Sequence, residues 1–352
     1  MATGTETAAM RRAVALSASV GEATRPNPNV GAVVLSAAGE IVGEGRHERA
    51  GGPHAEVLAL QAAGGQARGG TVAVTLEPCA HTGRTRPCTE ALVAAGVARV
   101  LFAVEDPTRE AGGGSERLRA AGVDVEGGLL AAEAEVANER WLATVRRQRP
   151  FVVWKVATTL DGRVAAADGT SRWISSPESR RDVHRLRAEC DTVVAGIGTV
   201  LSDDPHLTVR DDTGAVTGEQ PLRVVVDTHG RTPPGARALD GAAPTWVATA
   251  EELGKGPDGH VDLNALMAGL WARERTLVLL EGGPTLAGGF LRTGLVDRVV
   301  AYLAPTLLGD GVPALLGTGI STLADGIALD LTDVTRVGPD LRVTARPRRQ
   351  EA

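Results

Sequence analysis

The sequence predicts a two-domain α/β protein, and three observations point there. Strand-like and helix-like segments alternate through both halves; the 352 residues exceed one ordinary core; and a basic, proline-ended stretch, Val145-Arg-Arg-Gln-Arg-Pro150, interrupts the pattern near the middle. Domains are expected at residues 1–147 and 148–352.

In the first half, Ala8–Val20 has helical periodicity, and Val30–Leu35 and Glu40–Gly45 read as strands around a turn at Gly39. A helix over His54–Ala63, a strand over Thr71–Glu77 and a helix over Cys88–Ala95 follow, the last closed by Gly96. Arg99–Val104 is a strand, a Gly112–Gly114 loop precedes a helix from Ser115, and Val123–Glu126 is the last strand of this half. The second half opens on the apolar strand Phe151–Val156 and continues with strands at Thr192–Gly196, Leu222–Asp227, Thr245–Ala248, Thr276–Glu281 and Arg298–Leu303. Its helices are expected at Pro177–Glu189, Leu263–Arg273 and Pro284–Arg292.

Aromatic residues make up only 3% of the chain, so the cores must be built from Val, Leu, Ala and Ile. A net charge of −6 argues against a general nucleic-acid binder, whose phosphate contacts require a basic surface. The opening residues lack a basic region followed by an apolar run, and no long uncharged apolar stretch occurs; neither a signal peptide nor a membrane span is expected, and the chain reads as cytoplasmic. Three cysteines, Cys79, Cys88 and Cys190, do not make a disulfide framework. Cys190 reads as a buried apolar residue.

The strongest motif is His54-Ala55-Glu56, followed by Pro78-Cys79 and Pro87-Cys88. One imidazole and two thiolates hold a zinc ion and leave a fourth tetrahedral position for water, whose pKa the metal lowers. Glu56, two residues beyond the first ligand, is placed to carry a proton between that water, a ring nitrogen and the leaving ammonia. His-x-Glu with Pro-Cys is the signature of zinc nucleobase deaminases, although here eight residues rather than two separate the cysteines. A closed structural site is the alternative, with His81 as fourth ligand.

That long insertion, Pro78-Cys-Ala-His-Thr-Gly-Arg-Thr-Arg-Pro-Cys-Thr89, resembles the deaminase half of the bifunctional riboflavin-biosynthesis deaminase/reductase family. Pro26-Asn-Pro-Asn-Val-Gly-Ala-Val-Val34 and Gly43-Glu-Gly-Arg-His47 resemble it too. Ala80, Arg86 and Thr108 depart from the usual Ser, Pro and Asn, and none of them is a metal ligand. The resemblance implies a cytidine-deaminase-like α/β/α domain with one zinc on His54, Cys79 and Cys88, and Glu56 as catalytic group. It also implies that Asn27, His47, His81 and Arg84 contact the substrate. An amide suits a pyrimidine edge and a guanidinium suits a phosphate. Taken alone, Asn27 between prolines is equally a turn residue, and Arg84 on a glycine loop is equally a solvated cation.

In the second half, Thr276-Leu-Val-Leu-Leu-Glu-Gly-Gly-Pro-Thr-Leu-Ala-Gly-Gly289 reads as a strand entering a glycine loop and then a helix. Helix N-termini attract anions, so this is a phosphate-cradle candidate or a plain tight turn. Lys155–Arg163, Ser171-Arg-Trp-Ile-Ser175 and Gly198–Arg210 resemble the reductase half of the same family, which implies a dihydrofolate-reductase-like α/β fold and NADPH. By resemblance Ala157, Trp173, Thr199, Asp203, Thr228 and Gly283, Pro284, Thr285, Leu286, Ala287, Gly288 and Gly289 bind the dinucleotide. Lys155, Ser171, Arg187, Leu207, Arg210 and Glu281 bind a phosphoribosyl-aminopyrimidine substrate. Trp173 is equally a core anchor, Asp203-Asp204-Pro205 equally a turn, and Lys155 on an apolar strand equally a side chain reaching for solvent. A homo-oligomer through the reductase half is also expected. The rival functions are a nucleoside or tRNA deaminase with an unrelated second domain, and a zinc-stabilised regulatory protein without catalysis. Glu56 argues against the second, because a structural site has no use for a carboxylate beside the metal.

Overall fold

Short runs of Val, Leu and Ala form the strands of this computed structural model, which describes residues 1–21, 23–81, 86–108 and 112–348. They divide into two units, Met1–Arg147 and Gln148–Ala352. In the first unit β1 (Gly31–Leu35), β2 (Ile41–Arg46), β3 (Thr71–Leu76), β4 (Arg99–Val104) and β5 (Asp124–Gly127) form one sheet in the order β2-β1-β3-β4-β5. β1 is antiparallel to β2 and β3, whereas β3, β4 and β5 run parallel. Parallel strands covered on both faces carry continuous apolar runs rather than alternation, as β3 and β4 do. Helices Gly4–Ala18 and Ala131–Ala137 pack with one another, and helices Ala55–Ala63, Cys88–Ala95 and Gly114–Ala120 form a second series, giving α/β/α layers.

Local chemistry sets the element ends. The first helix begins at Gly4, ahead of the expected Ala8, because Thr3 and Glu6 form a reciprocal capping box. Two glycines of β2 seat the helix that bears Glu56. A Cβ on Gly45 would fall 2.3 Å from the Ala55 carbonyl oxygen and 2.5 Å from Ala59 N, and one on Gly43 would meet the Ala59 oxygen at 2.2 Å.

The second unit holds β6 (Phe151–Thr159), β7 (Arg163–Ala165), β8 (Thr192–Gly196), β9 (Leu222–Val226), β10 (Thr245–Ala248), β11 (Leu277–Leu280), β12 (Arg298–Ala304), β13 (Val312–Pro313), β14 (Leu329–Val337) and β15 (Asp340–Pro347). Eight of these form a sheet in the order β10-β9-β8-β11-β6-β12-β15-β14, parallel from β10 to β12 and antiparallel thereafter; β13 and β7 make a small separate pair. Val152, Val194, Val224, Val278 and Leu280 share one core with Leu266, Leu270 and Phe290 from helices Leu263–Trp271 and Pro284–Arg292. Helix Pro177–Glu189 is tied to the sheet by Asp182, whose carboxylate accepts from Tyr302 Oη at 2.8 Å and Arg342 Nη1 at 3.0 Å. Cys190 is buried.

The expected strands and helices are present, with ends displaced by a few residues. The hairpin β14–β15 was not expected from the sequence. A bulge between Leu331 and Asp333 breaks its alternation, and β14 is almost wholly exposed, so its residues carry no period-two signature. Helices Ile197–Asp203 and Ala131–Ala137, seven residues each, are too short for periodicity to show.

Gly45→Ala is expected to cost about 1–3 kcal/mol by forcing the helix off β2. Urea unfolding followed by far-ultraviolet circular dichroism measures it; an unchanged midpoint would show that close approach does not seat this helix.

Candidate functional site

In the first unit three elements converge. His54 is the N-cap residue of helix Ala55–Ala63, Cys88 is the first residue of helix Cys88–Ala95, and Cys79 lies three residues past the end of β3. The ligand atoms of His54, Cys79 and Cys88 all lie within 4.8 Å of one another. His54 Nδ1 stands 3.2 Å from Cys88 Sγ and 3.6 Å from Cys79 Sγ. Zinc–sulfur and zinc–nitrogen bonds at tetrahedral angles place N and S about 3.6 Å apart, so the set fits one zinc ion. His81 is exposed and outside this group, so among the described residues the set has three protein ligands.

The charges agree with that fit. Hydrogen bonding from Cys88, against the opposing effect of burial, brings Cys79 down to about 4, with His54 adding to the fall. The anionic Cys79 and burial push Cys88 up, and the hydrogen bond with Cys79 raises His54. Two sulfurs and one imidazole thus compete for protons at a place where a divalent cation would satisfy all three. The Cys88 N–H, first of its helix, donates to Cys79 Sγ at 3.3 Å.

Glu56 lies in the first turn of its helix, only 4% exposed, within hydrogen-bonding reach of Cys88; burial raises its carboxyl above the ordinary range. His47 is also buried. Its Nδ1–H donates to the Pro53 oxygen at 3.0 Å, so its Nε2 accepts from Asn27 Nδ2, also at 3.0 Å. Burial lowers its pKa, consistent with the neutral ring. His47 therefore fixes the orientation of the Asn27 amide from beneath. Arg84 lies outside the described residues. Glu77, which the sequence did not single out, accepts from Ser115 N at 2.8 Å and Asp106 N at 3.3 Å, pinning the start of helix Gly114–Ala120 and the loop after β4. A buried acid immediately before Pro78-Cys79 was its only signal.

The second unit contains a cavity of about 1160 Å³ at the carboxyl ends of its parallel strands. Lys155, Ala157, Ser171, Trp173, Arg187, Thr199, Asp203, Leu207, Arg210, Thr228, Glu281 and Gly283 to Leu286, with Gly289, line it. Two expected residues do not. Ala287 belongs to the core, and Gly288 faces the Leu316 oxygen, 1.8 Å from where a Cβ would stand. The reason is that Gly283–Gly289 is no extended loop: Gly283 caps helix Pro284–Arg292, Pro284 takes the first helical position, and the helix turns these two residues away.

Inside the cavity Arg187 grips Glu281 through Nε and Nη2 at 2.8 and 3.1 Å, with Lys155 Nζ 3.8 Å from the same carboxylate. Lys155 therefore does not reach for solvent. Burial opposes the Glu281 charge, yet Arg187 and Lys155 outweigh it and hold the carboxyl low; burial likewise lowers Lys155. Arg210 bonds Thr208 Oγ1 and the Gly214 oxygen and has no carboxylate partner among the described residues. Trp173 is 69% exposed, and Arg180 sits 4.4 Å over its ring, so it is a platform rather than a core anchor.

The model for the RibD C-terminal domain matches residues 150–343, and that for the cytidine and deoxycytidylate deaminase zinc-binding region matches residues 4–104. The riboflavin biosynthesis protein RibD of Mycobacterium tuberculosis is 48% identical over 334 residues, 95% of each chain. That of Escherichia coli is 44% identical over 355 residues, 94% of this chain and 96% of its own.

The chain belongs to the RibD family.

Among solved structures, Acinetobacter baumannii RibD superposes with a TM-score of 0.82 at 38% identity, covering 98% of this chain and 99% of its own. A Thermotoga maritima deaminase/reductase gives 0.80 at 33%, covering 97% and 99%. As a RibD-family enzyme the chain joins a zinc-dependent, cytidine-deaminase-like domain to an NADPH-dependent, dihydrofolate-reductase-like domain. Among the described residues no helix is long and apolar enough to cross a membrane.

Purified protein is expected to hold one zinc per chain, and Cys88→Ser to lose most of it, as elemental analysis will read. Equal zinc in the two proteins would remove Cys88 from the ligand set.

Proposed function

We propose that this RibD-family chain deaminates 2,5-diamino-6-ribosylamino-4(3H)-pyrimidinone 5′-phosphate. It then reduces the ribosyl group of 5-amino-6-(5-phosphoribosylamino)uracil to ribityl, a consecutive step of riboflavin biosynthesis. The observation that carries the reading is the open His54–Cys79–Cys88 cluster with the buried Glu56 beside it, in one chain with a cation-rich cavity fit for a dinucleotide.

When bound, zinc supplies the Lewis acidity that makes water a nucleophile near neutral pH. Glu56 would carry one proton of the attacking water to the ring nitrogen and then the second, from the hydroxyl added to the ring carbon, to the amine, which leaves as ammonia as the carbonyl forms. Asn27, oriented by His47, offers a donor and an acceptor to the pyrimidine edge. His81 and Arg84 are assigned to the substrate, Arg84 to its phosphate.

In the reduction NADPH supplies the hydride to the sugar carbon. Thr199, Thr228, Asp203, Ala157, Trp173 and the start of helix Pro284–Arg292 hold the dinucleotide. Arg210, whose charge is not spent on a carboxylate, takes the substrate phosphate. Lys155, Arg187 and Glu281 form a fixed polar wall that orients the ribosyl group, with Ser171 and Leu207 completing its seat.

The substrate is a small molecule rather than a nucleic acid, which the net charge of −6 supports, and the enzyme works in the cytoplasm. A second copy of the chain docks along the edge strand β14. There the bulge returns Val334 to the face of Leu329 and Leu331, and all three are exposed.

Ammonia release from the diaminopyrimidinone phosphate, followed by NADPH oxidation in the same tube, tests the whole reading; neither signal from zinc-loaded protein would overturn it. Glu56→Gln should keep its zinc and lose about 10²–10⁴-fold in ammonia release, because an amide cannot cycle a proton; near-normal release would exclude Glu56 as the shuttle. Arg210→Ala should raise the KM of the reduction roughly tenfold or more, the loss of a charge-assisted hydrogen bond, and leave ammonia release unchanged. Steady-state kinetics of both half-reactions read the difference.

A further inference from the structure

The parallel strands β6, β11, β8, β9 and β10 lie side by side in that order, so their carboxyl ends form a row. The buried Lys155–Glu281–Arg187 group stands at β6 and β11, and helix Pro284–Arg292 begins directly after β11. A dinucleotide with its pyrophosphate at that helix start and its nicotinamide toward Lys155 must run its adenosine the other way. That leads past Thr199, after β8, to the end of β9, two strands and about 10 Å from β11.

Asp227 stands at the end of β9 with no exposed surface. Its carboxylate accepts from His229 N at 3.3 Å, Thr232 N at 2.7 Å and Thr232 Oγ1 at 2.8 Å. An acidic residue near a strand end is what selects an unphosphorylated ribose, by accepting from the 2′-hydroxyl; an arginine there accommodates a 2′-phosphate. Here the acid is turned inward and saturated by its own loop. The loop presents Thr228, His229 and Arg231 to the cavity, and His260 joins them with Nδ1 3.5 Å from Thr228 Oγ1. The carboxylates lining this end already have cations: Asp203 has Arg172, Asp204 has Arg237 and Asp258 has Arg292. Arg231 forms no ion pair among the described residues, and its charge is free for a ligand.

We propose that Thr228, His229, Arg231 and His260 grip the 2′-phosphate of the cofactor, with Arg231 as the principal cation, so that the loop after β9 selects NADPH over NADH. The proposal rests on the NADPH-dependent reading of this domain and names the residues that make the choice. A planar guanidinium forks onto a phosphate, while the threonine hydroxyl and the imidazoles supply further donors.

Calorimetric titration of the full-length protein with adenosine 2′,5′-bisphosphate and with 5′-AMP tests it without turnover. The unmodified protein should bind the bisphosphate roughly tenfold or more tightly than 5′-AMP. Arg231→Ala should lose most of that difference while its 5′-AMP affinity stays within about twofold, and Arg231→Lys should keep part of it, a point charge replacing the fork. In parallel kinetics Arg231→Ala should raise the KM for NADPH and leave that for NADH unchanged. If the unmodified protein binds both nucleotides alike, the NADPH reading fails and the proposal with it. If it discriminates and Arg231→Ala discriminates equally, or loses both nucleotides in proportion, the proposal alone is overturned.

Discussion

A helix that begins at the carboxyl end of a parallel strand leaves its first N–H groups without intrahelical partners, and both sites of this chain are built around that constraint. In the first unit the unpaired donors meet thiolate and carboxylate: after β3 Cys88 N–H reaches Cys79 Sγ, and after β4 Ser115 N–H reaches Glu77. After β11 the start of helix Pro284–Arg292 lines the cavity instead.

Charge is matched locally in each unit. Beside His54, the Cys79 thiol is pulled down and its neighbour Cys88 pushed up, an asymmetry between two sulfurs that a shared divalent ion would remove. In the cavity of the second unit Lys155 and Arg187 share one carboxylate, Glu281. Asp203, Asp204 and Asp258 are each matched by an arginine, while Arg180, Arg210 and Arg231 line the cavity without a carboxylate among the described residues, Arg180 lying over the Trp173 ring.

Much of this was legible in the sequence. His54-Ala55-Glu56 with Pro78-Cys79 and Pro87-Cys88 named the metal set, because ligand chemistry depends on residue type and the helix start at Ala55 places His54 and Glu56 together. Strands such as Thr192–Gly196 and Leu222–Val226 were readable because buried parallel strands are short, apolar and bounded by turn residues. β14 was not, since an exposed, bulged edge strand has no alternating face.

Residue types and spacing along the chain therefore determined the α/β class, the zinc ligands and the family resemblance. They did not determine which polar groups are spent and which are free, because that depends on neighbours distant in sequence. Only the tertiary structure decided that His47 supports Asn27 from beneath, that Arg187 is committed to Glu281 from 94 residues away, and that Ala287 and Gly288 turn from the cavity. Only it turned Asp227 inward and left Arg231 lining the cavity. A side chain's reactivity is set by the partners that folding brings within about 3 Å of it, and those partners are not its neighbours along the chain.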